Sequence, residues 1–245
     1  MILIGYGDAD YDPEVTVYAG DGDDLVDIHG DWHDYLINGG RGNDTFIVDG
    51  GFITGDDDVM KIDGGAGDDT FTQGAASTAL NAAGTRNLSS TVELFGGEGN
   101  DKFGKFTGVS TGAIEIEGGA GNDKISGGVG FSMVDIEGGY GDDIVYGFDD
   151  PTNTNTQTYT LGYGDDVFFG GNGGDDIDIY GGYGNDKIFG PNNVEGTTEV
   201  TIYGEGDDDI IDFGDHNYGH LGYGGYGNDK IIGGIVGAGG QKLYG

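Results

Sequence analysis

Short runs of alternating apolar and polar residues recur along the whole chain, and each run ends at a glycine turn. Clear examples are IEIE (114–117), VDIE (134–137), IDIY (177–180) and VTIY (200–203). Period-two alternation with β-branched residues is typical of strands with one buried face. We therefore predict a repeated unit of strand, glycine–aspartate turn, second strand and return loop.

The turns are variants of one six-residue unit. Close copies are GGRGND (39–44), GGAGDD (64–69), GGEGND (96–101), GGAGND (118–123), GGYGDD (138–143), GGYGND (181–186) and GGYGND (224–229). Looser copies are GYGDAD (5–10), AGDGDD (19–24), LGYGDD (161–166) and YGEGDD (203–208). The final aspartates are Asp10, Asp24, Asp44, Asp69, Asp101, Asp123, Asp143, Asp166, Asp186, Asp208 and Asp229.

An apolar residue follows two positions after nearly every final aspartate. These residues are Val26, Phe46, Phe71, Phe103, Ile125, Val145, Phe168, Ile188, Ile210 and Ile231. A period near 20 residues over the whole chain indicates a solenoid with neighbouring parallel strands about 4.8 Å apart. We predict an all-β parallel solenoid that forms one domain over residues 1–245, with about eleven coils.

Composition narrows the function further. The chain has 245 residues, 57 of them glycine, and 45 acidic residues against 9 basic ones give a net charge of −36. So acidic a surface repels phosphates, which excludes nucleic acid as a partner, and no apolar stretch is long enough for membrane insertion. The charge would also prevent folding unless cations neutralise it.

The turns have the chemistry of calcium ligands. Glycine permits a positive-φ backbone that directs carbonyl groups toward one centre, and aspartate adds a charged oxygen. Calcium takes 6 to 8 oxygen ligands in flexible geometry, magnesium prefers strict octahedra, and transition metals prefer imidazole or thiolate. One turn offers too few oxygens, but two stacked turns offer enough. We predict multiple Ca²⁺ ions between the coils.

Over residues 5–234 the turns resemble the RTX (repeat-in-toxin, haemolysin-type) calcium-binding nonapeptide, glycine-glycine-x-glycine-x-aspartate-x-apolar-x. The resemblance implies a right-handed parallel β-roll. In that family one coil gives an ion the carbonyls of its first and third turn positions, and the adjoining coil gives those of its second and fourth. The aspartates of both coils complete the cage. Carried over, Gly118, Ala120 and Asp123 would share an ion with Gly139, Gly141 and Asp143.

The metal ligands that the resemblance implies come from both the close and the looser copies. They are Asp24, Gly39, Gly40, Arg41, Gly42, Asp44, Gly64, Gly65, Ala66, Gly67, Asp69, Gly96, Gly97, Glu98, Gly99, Asp101, Gly118, Gly119, Ala120, Gly121, Asp123, Gly138, Gly139, Tyr140, Gly141, Asp143, Asp166, Gly181, Gly182, Tyr183, Gly184, Asp186, Asp208, Gly224, Gly225, Tyr226, Gly227 and Asp229. The opposite edge is degenerate, with only 170–176 and 55–58 as candidates there.

Other chemical signals do not support an enzyme. GVSTG (108–112) matches a serine-hydrolase pattern but lies in a return loop, and two histidine pairs lack the glutamate of a zinc-protease motif. The tyrosines at the third turn position are expected to form an exposed ladder for packing or carbohydrate contact.

Two functional classes remain. The first is a structural protein of the surface-layer, adhesin or filament type, secreted or at the cell surface. The second is the calcium-binding portion of a larger secreted enzyme or toxin. The apolar strands in MILIGYGDAD and IIGGIVGAGGQKLYG are expected to pair with another copy, which implies self-association end to end or in a lattice.

Overall fold

The computed structural model describes residues 1–4, 15–29, 34–49, 59–74, 91–107, 112–149, 155–173, 176–191, 199–214, 220–234 and 241–245. Its twenty-two strands form two sheets of eleven, and each coil gives one strand to each sheet. Every pairing between neighbouring strands is parallel, as in β10–β12 and β11–β13. The prediction of an all-β parallel β-roll is confirmed.

The odd-numbered strands form one sheet, called here the odd sheet. They are β1 (Ile2–Ile4), β3 (Leu25–His29), β5 (Thr45–Asp49), β7 (Thr70–Gln73), β9 (Lys102–Phe103), β11 (Lys124–Ile125), β13 (Ile144–Tyr146), β15 (Val167–Phe169), β17 (Lys187–Phe189), β19 (Ile210–Asp212) and β21 (Lys230–Ile232). Each of these strands from β3 onward begins directly after a turn aspartate.

The even-numbered strands form the second sheet, the even sheet, and they include the first residues of each turn. They are β2 (Val15–Asp21), β4 (Tyr35–Arg41), β6 (Val59–Ala66), β8 (Thr91–Glu98), β10 (Ala113–Ala120), β12 (Met133–Tyr140), β14 (Thr156–Tyr163), β16 (Asp176–Tyr183), β18 (Glu199–Gly206), β20 (His220–Tyr226) and β22 (Gln241–Tyr244).

A thin apolar core lies between the two sheets. Ile114 and Ile116 point inward from β10 and are almost fully buried, as is Ile125 from β11. Phenylalanines of successive coils stack in this core, with Phe71 4.6 Å from Phe103 between ring centroids. Parallel pairing in unbroken register is what brings identical positions of successive coils together.

One core position differs from the sequence prediction. Ile210 was expected to point inward, but the buried residue is Ile211, and Ile210 is only half-buried. The coil that contains Ile210 is shifted by one residue relative to the prediction, because its turn ends at Asp209 and not at Asp208.

The core also contains a hydrogen-bonded polar group that the alternation pattern does not reveal. The Tyr159 hydroxyl donates to Gln157 Oε1 at 2.6 Å and accepts from the Phe148 backbone N–H at 2.8 Å. Gln157 in turn donates to Asn155 Oδ1, and the Asn155 amide donates to the Phe131 carbonyl. Because these buried polar groups form hydrogen bonds with one another and with the backbone, the roll can bury polar residues at this coil.

Candidate metal centres

The turn glycines are required by backbone geometry. In the turn at 118–123, Gly119 and Gly121 occupy the second and fourth positions with φ of 108° and 133°. A Cβ at Gly119 would collide with the Gly97 carbonyl oxygen of the preceding coil, and one at Gly121 with the Gly99 carbonyl oxygen. Glycine therefore allows both the turn conformation and the close stacking of successive turns.

The carbonyl groups alternate in direction, and their arrangement corrects the predicted ligand pairing. In the gap between the turns at 118–123 and 138–143, the oxygens of Gly119 and Gly121 point forward toward the later turn. The Gly138 oxygen points back to Gly118, and the Tyr140 oxygen accepts from the Gly121 N–H at 2.7 Å.

The gap therefore collects the second and fourth carbonyls of the earlier coil and the first and third of the later one. The predicted pairing of Gly118 and Ala120 with Gly139 and Gly141 was wrong. The carbonyls of Gly118 and Ala120 belong to the preceding gap, and those of Gly139 and Gly141 to the following gap.

The sixth-position aspartates form a buried row along the inside of the turns. One carboxylate oxygen of each links two coils: the Asp101 N–H donates to Asp123 Oδ1 at 2.7 Å, and the Asp123 N–H donates to Asp143 Oδ1 at 2.7 Å. The same bond recurs from Asp24 to Asp229. Within this row, the side chains that are 0–2% exposed are Asp44, Asp69, Asp101, Asp123, Asp143, Asp166, Asp186 and Asp209.

The second oxygen, Oδ2, of these same eight aspartates is buried and has no hydrogen-bond partner among the described residues. In seven of the eight, all except Asp166, this oxygen lies beside the glycine at the first turn position of the same coil. A Cβ built on Gly181 would lie 2.6 Å from Asp186 Oδ2 and 2.7 Å from the Gly204 oxygen of the next coil. A buried carboxylate oxygen next to a carbonyl oxygen, without a donor, is costly unless a cation binds there. These donor sets fit calcium.

Burial and neighbouring charges raise the pKa values of the sixth-position aspartates. Burial raises the pKa of Asp143 from 3.8 to about 8, and the charges of Asp166 and Asp123 add to the shift. Burial also raises the pKa of Asp69 and Asp101 to about 7 each. The hydrogen bond from the preceding coil opposes these shifts without cancelling them. In the absence of a cation, the row therefore favours protonation near neutral pH.

The turn at 203–209 differs by one residue from the prediction. Sequence analysis assigned Asp208 as its final aspartate, but Asp209 occupies the buried row: the Asp186 N–H donates to Asp209 Oδ1 at 2.9 Å. Asp208 is exposed. In this register Glu205 and Asp207 take the second and fourth positions with φ of 77° and 75°, where the other described turns have glycine. Because GDDD (206–209) has one aspartate more than the other turns, the sequence alone did not reveal that this turn is one residue longer than predicted.

The irregular turns still take part in the row. Leu161 stands where the close copies have their first glycine, yet its carbonyl oxygen points back to Gly138 as the glycine carbonyls do. Asp166 is fully buried, whereas the side chain of Asp24 is 24% exposed. Because the ligands include backbone oxygens, a missing glycine at the first position does not remove a ligand. The turn ending at Asp10 and the segment 55–58 lie outside the described residues.

A second, exposed row at the fifth turn position was missed by sequence analysis. Its members are Asp23, Asn43, Asp68, Asn100, Asn122, Asp142, Asp165, Asn185, Asp208 and Asn228, and each backbone N–H after the first donates to the side-chain Oδ1 of the previous coil. The Asn185 bonds hold the pKa of Asp165 below its ordinary value. The asparagines interrupt the row of charges and donate to neighbouring aspartates, which favours stacking.

At the opposite edge of the roll, an Asn and an Asp of successive coils form the same kind of hydrogen bond as in the exposed fifth-position row. Asn172, within the predicted candidate 170–176, donates from its backbone and side-chain nitrogens to Asp149 Oδ1 at 2.8 Å and 3.0 Å. Residues 174–175 lie outside the described part. No group of three or more His, Cys, Asp or Glu side chains in the described ranges is arranged to hold a metal.

Comparison with known families agrees with this geometry. The family model described as RTX calcium-binding nonapeptide repeat (4 copies) matches residues 28–52, 61–74, 115–133, 198–217 and 223–235. These segments are RTX calcium-binding nonapeptide repeats. Repeats of this kind in a β-solenoid support a calcium-binding repeat protein, in agreement with the sequence resemblance. No curated protein and no solved structure matches the chain.

Asp208 and Asp209 provide a matched pair that tests the observed register. Replacing Asp209 by Ala removes both the Oδ1 bond to the Asp186 N–H and a buried Oδ2. We expect a loss of about 2–4 kcal/mol in the calcium-bound state and a higher calcium midpoint, because a buried charged partner is lost. Asp208→Ala should cost under about 1 kcal/mol because that side chain is exposed. Thermal unfolding at saturating calcium would show it, and a larger effect of Asp208→Ala would contradict the register.

Proposed function

We propose that this RTX repeat protein is an extracellular structural protein of the surface-layer, adhesin or filament type that folds on binding calcium. The observation that supports it best is the row of eight buried, unpartnered aspartate oxygens, seven of which lie near a carbonyl oxygen of the next coil. Eight divalent cations would neutralise about sixteen of the 36 net negative charges. Millimolar extracellular calcium would supply them, whereas the cytosol would leave the chain unfolded.

We further propose that calcium-loaded rolls associate end to end. The odd sheet begins at β1 and the even sheet ends at β22, and each of these strands pairs on one side only among the described residues. At the ends of the core, Ile2 and Ile4 of β1 are only partly buried, and Leu243, in line with the buried Ile202, is 40% exposed. Open parallel edges favour pairing with a second copy. A head-to-tail contact does not close on itself, so it produces a filament.

The alternative is that this chain is the calcium-binding portion of a larger secreted enzyme or toxin. In that case further coils of the same protein would cover the edges of β1 and β22. The described residues form the repeats themselves, and the apolar edge strands favour stacking with more coils in either case.

The exposed tyrosines at the third turn position are the candidate residues for contact with carbohydrate or a cell surface. Tyr140, Tyr163 and Tyr183 form the expected exposed ladder, with ring centroids 4.9 Å and 5.1 Å apart. The rings cover one another's faces, so a sugar would meet mainly edges and hydroxyl groups. This arrangement favours packing over the face stacking typical of sugar sites.

Small-angle X-ray scattering during a calcium titration tests the proposed function. We expect an expanded chain in chelator, a compact rod at millimolar calcium, and rods whose length grows with protein concentration. Leu243→Lys should abolish the growth in length while leaving the single rod, because it places a charge where another core would stack. Met133→Lys, at an exposed position within the even sheet, is the control. Rods that keep the length of one chain at every concentration would contradict end-to-end association.

A further inference from the structure

The outer surface of the odd sheet concentrates the positive charge of this acidic protein. Five of the nine basic residues lie on it between β9 and residue 230: Lys102, Lys105, Lys124, Lys187 and Lys230, all exposed. We call this surface the lysine face. Among the described residues, the carboxylates on the same surface are Asp149 and Asp212, so this part of the surface is positive in a chain with a net charge of −36.

An apolar strip runs through the lysine face. Tyr146, Phe169 and Phe189 point outward from successive strands and stack with ring centroids 5.2 Å and 5.3 Å apart. Each is 37–38% exposed, as is Ile144 beside them at 37%. Lys124 Nζ lies 5.6 Å from the Tyr146 ring centroid. A contiguous apolar strip with charged groups around it is typical of an interaction surface.

The outer surface of the even sheet has the opposite charge. From β8 to β18 its outward residues include Glu93, Glu115, Glu117, Asp135, Glu137, Asp176, Asp178 and Glu199, which we call the carboxylate face. The even-numbered strands from β8 to β20 contain no lysine or arginine. Register places Glu115 beside Asp135 and Glu117 beside Glu137. Burial and then these neighbouring charges raise the pKa of Glu115 and Glu137.

We propose that the lysine face of one calcium-loaded roll docks sideways on the carboxylate face of a second copy. The two faces repeat with the same spacing because each coil contributes one strand to each sheet. A copy displaced straight sideways would therefore bring strands of the same coil opposite each other. This places Lys124 of β11 opposite Glu115 and Glu117 of β10.

The same displacement matches one further coil, because Lys187 of β17 comes opposite Asp176 and Asp178 of β16. Glu93 of β8, opposite Lys102 of β9, already forms an ion pair with Lys61 at 3.1 Å. Two lysines thus meet carboxylates that are unpaired within the described residues, without any axial shift. Charge complementarity in register favours a second copy over an unrelated acidic chain, whose charges would have to repeat at the spacing of the coils.

This contact differs from end-to-end association and has its own consequences. Each roll keeps one free face of each sign, so sideways docking does not close and produces a layer. The strip is narrow, so a single pair is weak and the layer forms at high protein concentration. The inference rests on the proposed calcium-dependent folding but not on filament growth.

Charge-reversed variants test the contact. The lysine-face variant carries Lys124→Glu and Lys187→Glu, and the carboxylate-face variant carries Glu115→Lys and Asp178→Lys. The positions of Lys124 and Lys187 hold Thr, Ile or Val in other coils, so their reversal should leave the roll intact. Circular dichroism with calcium checks that each variant folds. Thr16→Glu, Tyr18→Glu and Lys242→Glu together, at exposed positions of β2 and β22 outside both faces, make the same change in net charge as the lysine-face variant.

Scattering at low salt and saturating calcium gives the readout, because sideways docking thickens the rod while end-to-end growth lengthens it. The natural sequence should reach about twice the mass per length of a single rod, and added salt should reverse this. Each variant alone should stay a single rod, and an equal mixture of the two should thicken again. The control with the changes at Thr16, Tyr18 and Lys242 should behave like the natural sequence.

Three outcomes would overturn the inference. The natural sequence could keep the mass per length of one rod at high concentration, the mixture could fail to thicken, or the control could lose thickening as well. Binding of polygalacturonate that is lost in the lysine-face variant, with no thickening of the natural sequence, would assign the face to an acidic polysaccharide instead. If no rod forms with calcium, the proposed function itself fails. Rods that form but never thicken contradict only the sideways contact.

Discussion

Removing calcium should unfold the roll. Eight buried carboxylate oxygens have no donor within the described residues. Each unsatisfied buried acceptor costs about 1–3 kcal/mol. The combined cost of all eight is as large as the free energy of unfolding of a typical domain, which is about 5–15 kcal/mol. The core between the sheets is thin, and the net charge of −36 adds repulsion. Without cations the unfolded chain should therefore be favoured at neutral pH.

Far-UV circular dichroism at pH 7.5 measures this directly. We expect strand signal with millimolar calcium, its loss on adding excess chelator, and its recovery when calcium is restored. Magnesium at the same concentration is the control, because its stricter octahedral geometry fits a cage of carbonyls poorly. The transition should be cooperative, since each cation joins two coils and stability in a solenoid depends on neighbouring coils. Strand signal that persists unchanged in chelator would disprove the prediction.

The repeated fold follows from local sequence. The alternation in IEIE and VDIE predicted inward Ile and Val, and the parallel register Ile116↔Ile136 confirms it. Glycine at the second and fourth turn positions was predictable because only glycine readily adopts φ near 108° and 133° there. One repeated unit determined both the strands and the turns, so errors in a single coil did not change the fold.

Carbonyl directions and the exact register were not predictable from the same signals. The identity of a residue does not report which way its carbonyl points; the hydrogen bond from Gly121 to the Tyr140 oxygen does. In GDDD, three consecutive aspartates are chemically alike, and only packing selects Asp209 for the buried row. The exposed fifth-position row was visible in the sequence as a recurring Asn or Asp, but its role depends on hydrogen bonds between stacked coils.

Acid should restore the roll in the absence of calcium. In the folded state, burial raises the pKa of Asp186 and Asp209 from 3.8 to about 7 and that of Asp123 to about 6. A pKa that is higher in the roll than in the unfolded chain means that the roll binds these protons more tightly. The resulting stabilisation is complete below pH about 4 and is lost as pH rises through about 6 to 8.

With calcium present, protons and calcium compete for the same carboxylates of the folded roll. The calcium concentration that half-saturates the folded roll should therefore rise as the pH falls from 8 to about 5. The calcium concentration at the folding midpoint should fall over the same range, because protons stabilise the calcium-free roll. Dichroism titrations at several pH values, with and without chelator, measure this folding midpoint. A folding midpoint that does not change over this range would show that protonation of the buried aspartates does not stabilise the roll.

Asp143→Asn separates the two effects in one protein. Asp143 has the highest pKa of the row, about 8, because burial and the charges of Asp166 and Asp123 oppose its ionisation. Asparagine keeps the oxygen that accepts from the Asp123 N–H and removes the charge. We expect the variant to be more stable than the natural sequence in chelator at pH 7.5, yet to need more calcium for full folding. Asp142→Asn, at the adjacent exposed position, is the matched control and should change neither quantity by more than about 0.5 kcal/mol. If Asp143→Asn lost stability in chelator as well, ionisation of the buried row would not be what opposes folding without calcium.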